Sequence, residues 1–571
     1  MLCPMSRAST TRVASLLAAA GALASGAPQA RQSLAGTWRL ANANGSLSNL
    51  PAGVPGMVHT DLLAAGVISE PFHGFNDAAQ QWIPYEREWS YSLIFDASPD
   101  MLAVPVVDLV FEGLATVASV TLNGAHVLHA TNQFRTWVVP VRSVLVPAGN
   151  VLTVAFSSAL EYARAADEAY DMSSHNITSC PQPSEHGFCF RNFVRQSPCS
   201  FSWDWAPAFA PSGIYKDVFL LARAGAALRA VTVTTRNVTA IPITPGVASE
   251  WALSFVLWLD APAALQGTAR VVVAALGVDV SVAVRCIEGT QSAVVNVSSV
   301  VAQAWWPRTR LPVDTLPTLY NATVTFTDTT TGEVAVHALR VGLRTAELVQ
   351  DPLPGGTSFC FRINGASIYA KGSNWLPIDA FESRVTLDNL TAAFDAFAFA
   401  GFNVVRHWGG AIYQSDAFFE LADERGVLVW MEFSFANGAS RVVDECPVLC
   451  RIRCPGLGRT PATQRREGAH TASLPSPACF HGHPHAPPTP PQPTIPSTRR
   501  SWQTSQRRCA TRRCGCRLMH PSYCGRLITR LRAAWTACKR ATPRPAFRCM
   551  LRTTFHSSST RSCPPWPSST P

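Results

Sequence analysis

The sequence predicts a multi-domain protein with two all-β domains, the first units of a parallel βα repeat, and a disordered tail. Short β-type runs separated by turn residues extend to about residue 348. After Val349, strand and helix patterns alternate. The composition then changes abruptly near Cys450, and no periodic pattern follows. These three observations fix the order of the domains.

The charge of the chain divides at the same point. Of its 47 basic and 37 acidic residues, 21 basic and one acidic (Glu467) fall in 451–571, which leaves 26 basic and 36 acidic for the first 450. The formal net charge of +10 therefore describes no single folded domain. The basic region lacks interleaved aromatic residues and any recognisable binding module, so the charge does not indicate a nucleic-acid partner.

Residues 1–27 are typical of a secretory signal peptide. Arg7 and Arg12 precede an apolar, Ala-rich run, Val13–Ala24, which is too short to span a bilayer and is followed by small residues. We expect secretory routing to a lysosome, a vacuole or the medium, with no membrane association after signal removal. Six N-x-S/T sequons agree with this route, and glycosylation is expected at Asn44, Asn176, Asn237, Asn296, Asn321 and Asn389.

Residues 31–221 form the first predicted β-sandwich. Alternation in VASVTLNG places apolar side chains on one face and makes Asn123-Gly124 a hairpin turn. One local disulfide is expected among three cysteines whose pairing the sequence leaves open, Cys180, Cys189 and Cys199. Strands are expected at Trp89–Phe95, Val106–Phe111, Ala118–Leu122, Val151–Phe156 and Asp217–Leu221.

Residues 222–348 predict a second sandwich with the strand spacing of an immunoglobulin-like domain. Its strands are expected in RAVTVTTRNVT, WALSFVLWLD, ARVVVAAL and YNATVTFTD.

Residues 349–450 are predicted to form the opening of a βα repeat. Buried strands are expected at Ser367–Pro377, Phe402–Gly410 and Val427–Phe433, with helices at Val385–Ala400 and Ser415–Gly426. Three strands cannot close an eight-stranded barrel.

Residues 451–571 predict disorder. A Pro, Thr, Ser and His tract is followed by an Arg, Cys and Ser tract. The spacing of His481, His483, His485 and nine tail cysteines matches no zinc pattern, so no metal site is expected.

The densest chemical signal is CSFSWDWAP, Cys199–Pro207. Two tryptophans around a carboxylate supply apolar faces for a sugar ring and an ionised acceptor for its hydroxyls. This composition indicates sugar binding. A Trp-rich strand edge in which Asp204 pairs with Arg195 is an alternative interpretation.

Several stretches of the chain resemble β-mannosidases of glycoside hydrolase family 2. The resemblance covers about residues 34–440, in order. It rests on SWDWAP and on VPGMVHTDLLAAGVISEPFHGFND, WSYSLIFD, VFEGLATVASVTLNG, AWWP, KGSNWLPIDAF and NVVRHWGGAIYQSDAFFELADERGVLVWMEFSFA. It implies a sugar-binding-like jelly roll, an immunoglobulin-like domain and a catalytic (β/α)8 barrel, here incomplete. It also implies a retaining exo-hydrolase that removes terminal β-D-mannose from oligosaccharides or glycoproteins without a cofactor.

The resemblance assigns roles to individual residues. Trp203 and Asp204 would form walls of the terminal-mannose subsite, Arg406 would orient the nucleophile, and Trp408 would stack on or position the sugar. A buried guanidinium at a strand end needs a carboxylate partner, which makes a mere packing role for Arg406 hard to justify. Trp408 could instead cap the barrel core.

Three further positions come from the same resemblance. Asn374 and Trp375, near the end of the first strand, are open between a subsite and a supporting role. Glu432 stands where the family has Asp and is expected to support the site rather than to act in catalysis.

The two catalytic glutamates of the family are not found in this chain. They belong to later barrel strands, and the acid/base follows a W-x-G-N-N-E pattern, whereas no Asn occurs after Asn437. We therefore expect the chain as written to be inactive. The alternatives are a non-catalytic carbohydrate-binding sandwich protein and another exo-glycosidase of the same superfamily. The sequence indicates no oligomeric state.

The amino-acid sequence of the tail is explained by a shift of the reading frame. Regrouping codons by one shift in Ser501–Cys509 permits L-A-N-V-S-A-E-V, and the same shift in Pro521–Arg530 permits I-V-L-W-A-x-N-N-E. We therefore interpret 451–500 as intron-derived and 501–571 as catalytic-domain codons read out of frame. An uninterrupted spliced message that encodes the tail as written would contradict this interpretation.

Overall fold

The computed structural model of the chain describes residues 29–170, 177–239, 241–312 and 315–436, which lie in one compact unit. Four predictions therefore fall wholly or partly outside the described residues: the signal peptide, glycosylation of Asn176, the end of the βα region after 436, and the tail. Within these ranges, no helix has the length and apolar character needed to cross a bilayer.

The first domain is a sandwich of two antiparallel sheets. In the described residues one sheet has the order β3-β2-β4-β9-β6-β7 and the other β1-β12-β5-β8, with β10 and β11 forming a separate hairpin. The strands are β1 Ala30–Ser33, β2 Gly36–Asn42, β3 Leu50–Val54, β4 Glu88–Phe95, β5 Val106–Phe111, β6 Ala118–Leu122, β7 Ala125–Ala130, β8 Trp137–Pro140, β9 Asn150–Ser157, β10 Phe201–Trp203, β11 Ala206–Ala208 and β12 Val218–Arg223. The helices are α1 Val58–Ala64, α2 Asn76–Ala79, α3 Trp82–Tyr85, α4 Pro99–Leu102 and α5 Ala159–Ala169.

Alternation of apolar residues builds the core of this sandwich. Leu152, Val154 and Phe156 of β9 point inward with the alternate residues of β5, and all are buried. The predicted turn at Asn123-Gly124 is confirmed, since Leu122 pairs with Ala125 and both turn residues have positive φ, 53° and 80°.

The second domain packs two further antiparallel sheets. They have the orders β13-β14-β17 and β16-β15-β18-β19 among the described residues. Alternate residues of β14, from Trp251 to Leu259, are buried against Val271 and Phe326 of the facing sheet. The strands are β13 Ala227–Asn237, β14 Ala248–Ala261, β15 Leu265–Val273, β16 Val278–Cys286, β17 Gly289–Gln303, β18 Tyr320–Asp328 and β19 Val334–Val341.

The third region contains a parallel sheet with the order β25-β26-β27 and two long helices, within the part of the chain that the structure describes. Short antiparallel strands precede it. The strands are β20 Ala346–Val349, β21 Pro352–Leu353, β22 Gly356–Thr357, β23 Cys360–Ile363, β24 Ala366–Ile368, β25 Gly372–Trp375, β26 Val404–His407 and β27 Leu428–Met431, and the helices are α6 Leu387–Phe399 and α7 Asp416–Arg425. Thr386 caps α6, because its hydroxyl accepts a hydrogen bond from the Asn389 N–H at 3.2 Å.

The prediction of one buried strand over Ser367–Pro377 is wrong. β24 pairs antiparallel with β23, whereas β25 starts a different, parallel sheet. Asn364 and Gly365, with φ of 52° and 78°, form the two-residue turn between β23 and β24. β25 lies at the edge of its sheet and Gly372–Asn374 are exposed, so the expected burial is also wrong for this strand.

A buried group of four charges joins the two sandwiches. Asp108 of β5 accepts hydrogen bonds from Arg223 Nε at 2.9 Å and Arg229 Nη2 at 2.7 Å. Asp260 of β14 accepts from the same two arginines at 3.2 and 2.6 Å. The side chains of Arg223 and Asp108 are only 5% and 3% exposed. The charges of Arg223 and Asp108 are therefore compensated by their partners rather than by water, whereas Arg229 and Asp260 are 21% and 22% exposed.

Asp61 makes the first sandwich sensitive to pH. Burial raises the pKa of this carboxyl to about 6, although Tyr91 Oη and Gly53 N donate hydrogen bonds to it at 2.7 and 2.9 Å. A folded-state pKa above the unfolded value penalises the ionised form in the fold.

We expect the contribution of Asp61 to the free energy of unfolding to fall by at most about 3 kcal/mol as pH rises from about 4 to about 6. Above pH 6 this contribution should no longer change. In Asp61→Asn the amide oxygen can still accept from Gly53 N, while Nδ2 can only donate to Tyr91 Oη. Because an amide does not titrate, this variant should lack this part of the pH dependence. Urea unfolding of both proteins between pH 4 and 8 measures it. Parallel pH profiles would contradict the assignment.

Candidate functional site

The SWDW segment forms a hairpin whose tip carries the predicted carboxylate. Trp203 pairs with Ala206 across β10 and β11, which makes Asp204 and Trp205 the two turn residues. Both turn side chains are exposed, whereas Trp203 is half-buried. Asp204 has no hydrogen bond or ion pair within the described ranges, so its carboxylate is available to a ligand.

Trp203 is held from two directions. The Arg191 guanidinium carbon lies 4.7 Å from the ring centroid of Trp203, and Arg191 Nη1 donates to the Ser202 carbonyl at 3.1 Å. The indole of Trp408 lies 4.7 Å away, centroid to centroid, at a tilt of 55°. Trp205 meets Trp408 edge-on at 5.8 Å. The three rings therefore form one aromatic cluster with the carboxylate of Asp204 beside it.

The strand ends of the parallel sheet supply the other half of the site. Asn374 and Arg406 occupy paired positions on β25 and β26. Arg406 Nη1 donates to Asn374 Oδ1 at 3.1 Å, and its Nε and Nη2 both lie 2.6 Å from Glu432 Oε1. Gly409 N donates to Glu432 Oε2 at 2.9 Å. Both oxygens of Glu432 are therefore engaged in fixing the guanidinium and the loop after β26.

The loop after β26 needs two glycines to carry Trp408. A Cβ on Gly410 would lie 2.1 Å from the ring of Trp408, and a Cβ on Gly409 would lie 2.6 Å from the Phe433 carbonyl oxygen. The indole therefore occupies the space that a side chain at 410 would fill.

The first sandwich and the parallel sheet are connected directly around this site. Cys199 N donates to the Gly410 carbonyl at 2.9 Å, and Arg195 Nη1 donates to the Ser434 carbonyl at 2.8 Å. The guanidinium of Arg195 also lies over the ring of Phe435 at 4.9 Å. Arg195 is thus committed to the joint, and the alternative pairing of Asp204 with Arg195 is not formed.

The disulfide lies in the segment that leads to the hairpin. It joins Cys180 to Cys189, and Cys199 is a buried free thiol. The pairing that the sequence left open is thereby given by the structure.

The structure places five of the six predicted binding residues in two groups and buries the sixth, Trp375, elsewhere. Trp203, Asp204 and Trp408 lie at the aromatic cluster, and Asn374 hydrogen-bonds to Arg406. Trp375 is 4% exposed and packs against Phe394 and Phe418 of the helices. Of the two roles that the sequence left open for Trp375, this burial favours support: neighbouring residues on a strand point to opposite faces, and its face is covered by α6 and α7.

One residue of the site was not predicted, and another was predicted only as part of a motif. Trp205 was one of the two tryptophans that indicated sugar binding, but it was not assigned to the subsite. Arg191 carried no local signal, because its contact with Trp203 arises from the path of a long loop.

Gly410→Ala should displace the Trp408 indole without adding any polar group. We expect saccharide affinity to fall at least tenfold, since the added methyl and the ring cannot share the same space. Gly356→Ala is the matched control, because a Cβ there meets nothing within 4 Å. Calorimetric titration with methyl β-D-mannoside measures the effect. Equal affinity in both variants would contradict the placement of Trp408.

Comparison with known proteins agrees with this fold. Residues 38–216 match the family described as glycosyl hydrolase 2 galactose-binding domain-like. The first sandwich and its hairpin are thus similar to a domain of glycoside hydrolase family 2.

The chain is also similar to β-mannosidases. It is 36% identical to β-mannosidase of Capra hircus over 412 residues and 34% identical to that of Mus musculus over 423, in each case across 71% of this chain and 45% of the relative. The solved structure of a β-D-mannosidase from Dictyoglomus thermophilum is similar with a TM-score of 0.62 and 28% identity, over 71% of this chain and 47% of that one. The chain thus spans about half the length of the relatives that it matches.

Proposed function

We propose that this chain carries the terminal-sugar subsite of a β-mannosidase-like retaining exo-glycoside hydrolase. The single observation that carries the proposal is the contact between two domains, in which Trp203 of the Asp204 hairpin packs against Trp408 in the loop after β26. An aromatic cluster beside an unpaired carboxylate suits the apolar face and the hydroxyls of a pyranose ring. Similarity to β-mannosidases supports terminal β-D-mannose of oligosaccharides or glycoproteins as the ligand.

We also propose that the parallel sheet is the opening of a (β/α)8 barrel and that the chain as written does not hydrolyse glycosides. Strand, helix and strand repeat in the order such a barrel requires, and the site lies at the carboxyl ends of the strands. Retaining hydrolysis needs two carboxyl groups about 5 Å apart, one free to transfer a proton and one free to attack. Glu432 supplies neither, because Arg406 and Gly409 hold both of its oxygens.

The full chain should bind methyl β-D-mannoside but should not release 4-nitrophenol from 4-nitrophenyl β-D-mannoside above a mock preparation. A carboxylate pair lowers the activation barrier to hydrolysis, whereas saccharide binding alone does not lower it. A clear rate that rises with the amount of protein would refute inactivity. Failure to bind any saccharide would refute the proposed subsite.

A non-catalytic carbohydrate-binding protein that uses the first sandwich alone is the second candidate. Exposure of Asp204 and Trp205 on the sandwich hairpin favours it. The two candidates differ at Trp408, which lies outside the sandwich, so retention of binding in Trp408→Ala would favour the sandwich alone.

Other exo-glycosidases share the fold: an exo-chitosanase from Amycolatopsis orientalis has a TM-score of 0.52 at 17% identity. Parallel titration with methyl β-D-glucosaminide separates this possibility.

We further propose passage through the secretory pathway, with glycans on the accessible sequons. Among the described ones, Asn44, Asn296, Asn321 and Asn389 are exposed. The Nδ2 of Asn237, where a glycan would attach, already donates to the Glu250 carbonyl at 3.2 Å, so this site is the least available. A fall in mass on enzymatic deglycosylation of the secreted protein tests the proposal, and an unchanged mass would contradict it.

A further inference from the structure

A cavity of about 200 Å³ lies between the first sandwich and the loop after β25. Met57, Phe72 and Phe209 line it from the sandwich, Ile378 and Glu382 from the loop, and Trp205 from the hairpin tip. Trp203, Asp204, Arg406 and Trp408 do not line it. The cavity therefore differs from the proposed sugar subsite, and Trp205 is the residue common to both.

Two hydrogen-bond acceptors of the lining are unsatisfied. Gln196 is 1% exposed, and although its Nε2 donates to the Pro211 carbonyl at 2.9 Å, its Oε1 has no partner in the described part of the chain. The half-buried carboxylate of Glu382 also makes no hydrogen bond or ion pair with described residues. Leaving the buried Gln196 oxygen unpaired is costly, so a ligand that donates a hydrogen bond to it would gain free energy here.

The charge of the lining favours a cation over a neutral donor. The other carboxylate, Asp379, is already paired with Arg384 Nε at 2.8 Å and with Phe381 N at 2.9 Å. Glu382 is therefore the carboxylate of this lining that has no ion pair in the described part of the chain. The rings of Trp205 and Phe209 border the same space, and aromatic faces attract cations from which water has been removed.

We propose that this cavity binds a small organic cation, an alkyl or alicyclic ammonium compound. The ammonium hydrogens would be donated to Glu382 and Gln196, and the hydrocarbon body would pack against the aromatic and aliphatic walls. The volume suits a single six-membered ring, since it is smaller than the cavities that hold drug-sized ligands. This proposal does not depend on the proposed glycosidase function.

The pH dependence of binding follows from the groups around Glu382. Burial raises the pKa of this carboxyl to about 7, while the charges of Lys216 and Asp379 act on it with opposite signs. Burial also raises the pKa of Cys199 to about 11, raises that of Tyr215, and lowers that of His59 to about 3, so these three groups stay neutral between pH 5.5 and 8. Glu382 gains its charge as pH rises through this window.

Calorimetric titration of the full chain with cyclohexylamine, and with cyclohexanol as the neutral analogue, tests the proposal. We expect cyclohexylammonium to bind at least tenfold more tightly at pH 8 than at pH 5.5 and at least tenfold more tightly than cyclohexanol. Glu382→Gln should remove this preference, whereas Glu288→Gln, which changes an exposed carboxylate of the second domain, should leave it unchanged.

Ala380→Leu, which narrows the cavity, should weaken binding of both compounds and so locate the site. Equal binding of amine and alcohol would overturn the proposal and leave an apolar void. Binding that persists unchanged in both Glu382→Gln and Ala380→Leu, or no binding of the amine at pH 8, would overturn it as well.

Discussion

Asp108→Ala should lower the free energy of unfolding of the sandwich pair by about 3 to 5 kcal/mol. Asp108 receives hydrogen bonds from Arg223 and Arg229, and it is the most deeply buried carboxylate of that group of four charges. Removing it leaves the guanidinium of Arg223, which is 5% exposed, without half of its compensating charge. A buried cation that is left unpaired cannot recover its hydration, which is why the expected cost is large.

Urea unfolding followed by tryptophan fluorescence measures this cost. Glu347→Ala is the matched control, because Glu347 and Arg362 form an ion pair at 3.2 Å whose side chains are 53% and 35% exposed. We expect the control to unfold close to the wild-type midpoint, since exposed pairs contribute little. A midpoint for Asp108→Ala that matches the control would show that the four charges do not hold the joint.

Asp204→Ala should weaken saccharide binding at least tenfold. Its carboxylate is exposed at the hairpin tip and unpaired within the described ranges, so it can accept hydrogen bonds from two ring hydroxyls. Hydrogen bonds to a charged group contribute roughly 1.5 to 3 kcal/mol each, which predicts a loss of at least tenfold, and more if both are made. Because the side chain packs against nothing, the substitution should leave stability unchanged.

Titration with methyl β-D-mannoside, together with a thermal melt, measures both effects. Asp100→Ala, which changes an exposed carboxylate of α4 in the same domain, is the control. Wild-type affinity in Asp204→Ala would remove this residue from the site. A lower melting temperature would instead indicate a structural role.

Much of the architecture could be predicted because it depends on local periodicity. The strands β5 and β6 begin and end where alternation and turn residues placed them. The strands β16, β17 and β19 were not delimited individually, although the immunoglobulin-like spacing required strands in that region. The dipeptide Asn364-Gly365 favours a hairpin turn. It could have indicated that the start of the run Ser367–Pro377 belongs to a hairpin, and that the run is divided between two sheets.

The site was predicted in part for a different reason. Periodicity alone predicts that Asn374 and Trp375 point to opposite faces of a strand, so they could not both contact one sugar. It does not predict which of the two is buried. The contact between Trp203 and Trp408 depends on how two domains pack, and no local pattern encodes that packing. Only the family resemblance placed these residues in one subsite.

The central claim is that one sugar site is shared between the first sandwich and the parallel sheet. The most direct test is a double-mutant cycle on the full chain, in which the affinity for methyl β-D-mannoside is measured for Asp204→Ala, Trp408→Ala and the double variant. We predict that each single substitution abolishes most of the affinity and that the double variant loses little more. Wild-type affinity in Trp408→Ala would contradict the claim and assign sugar binding to the sandwich alone.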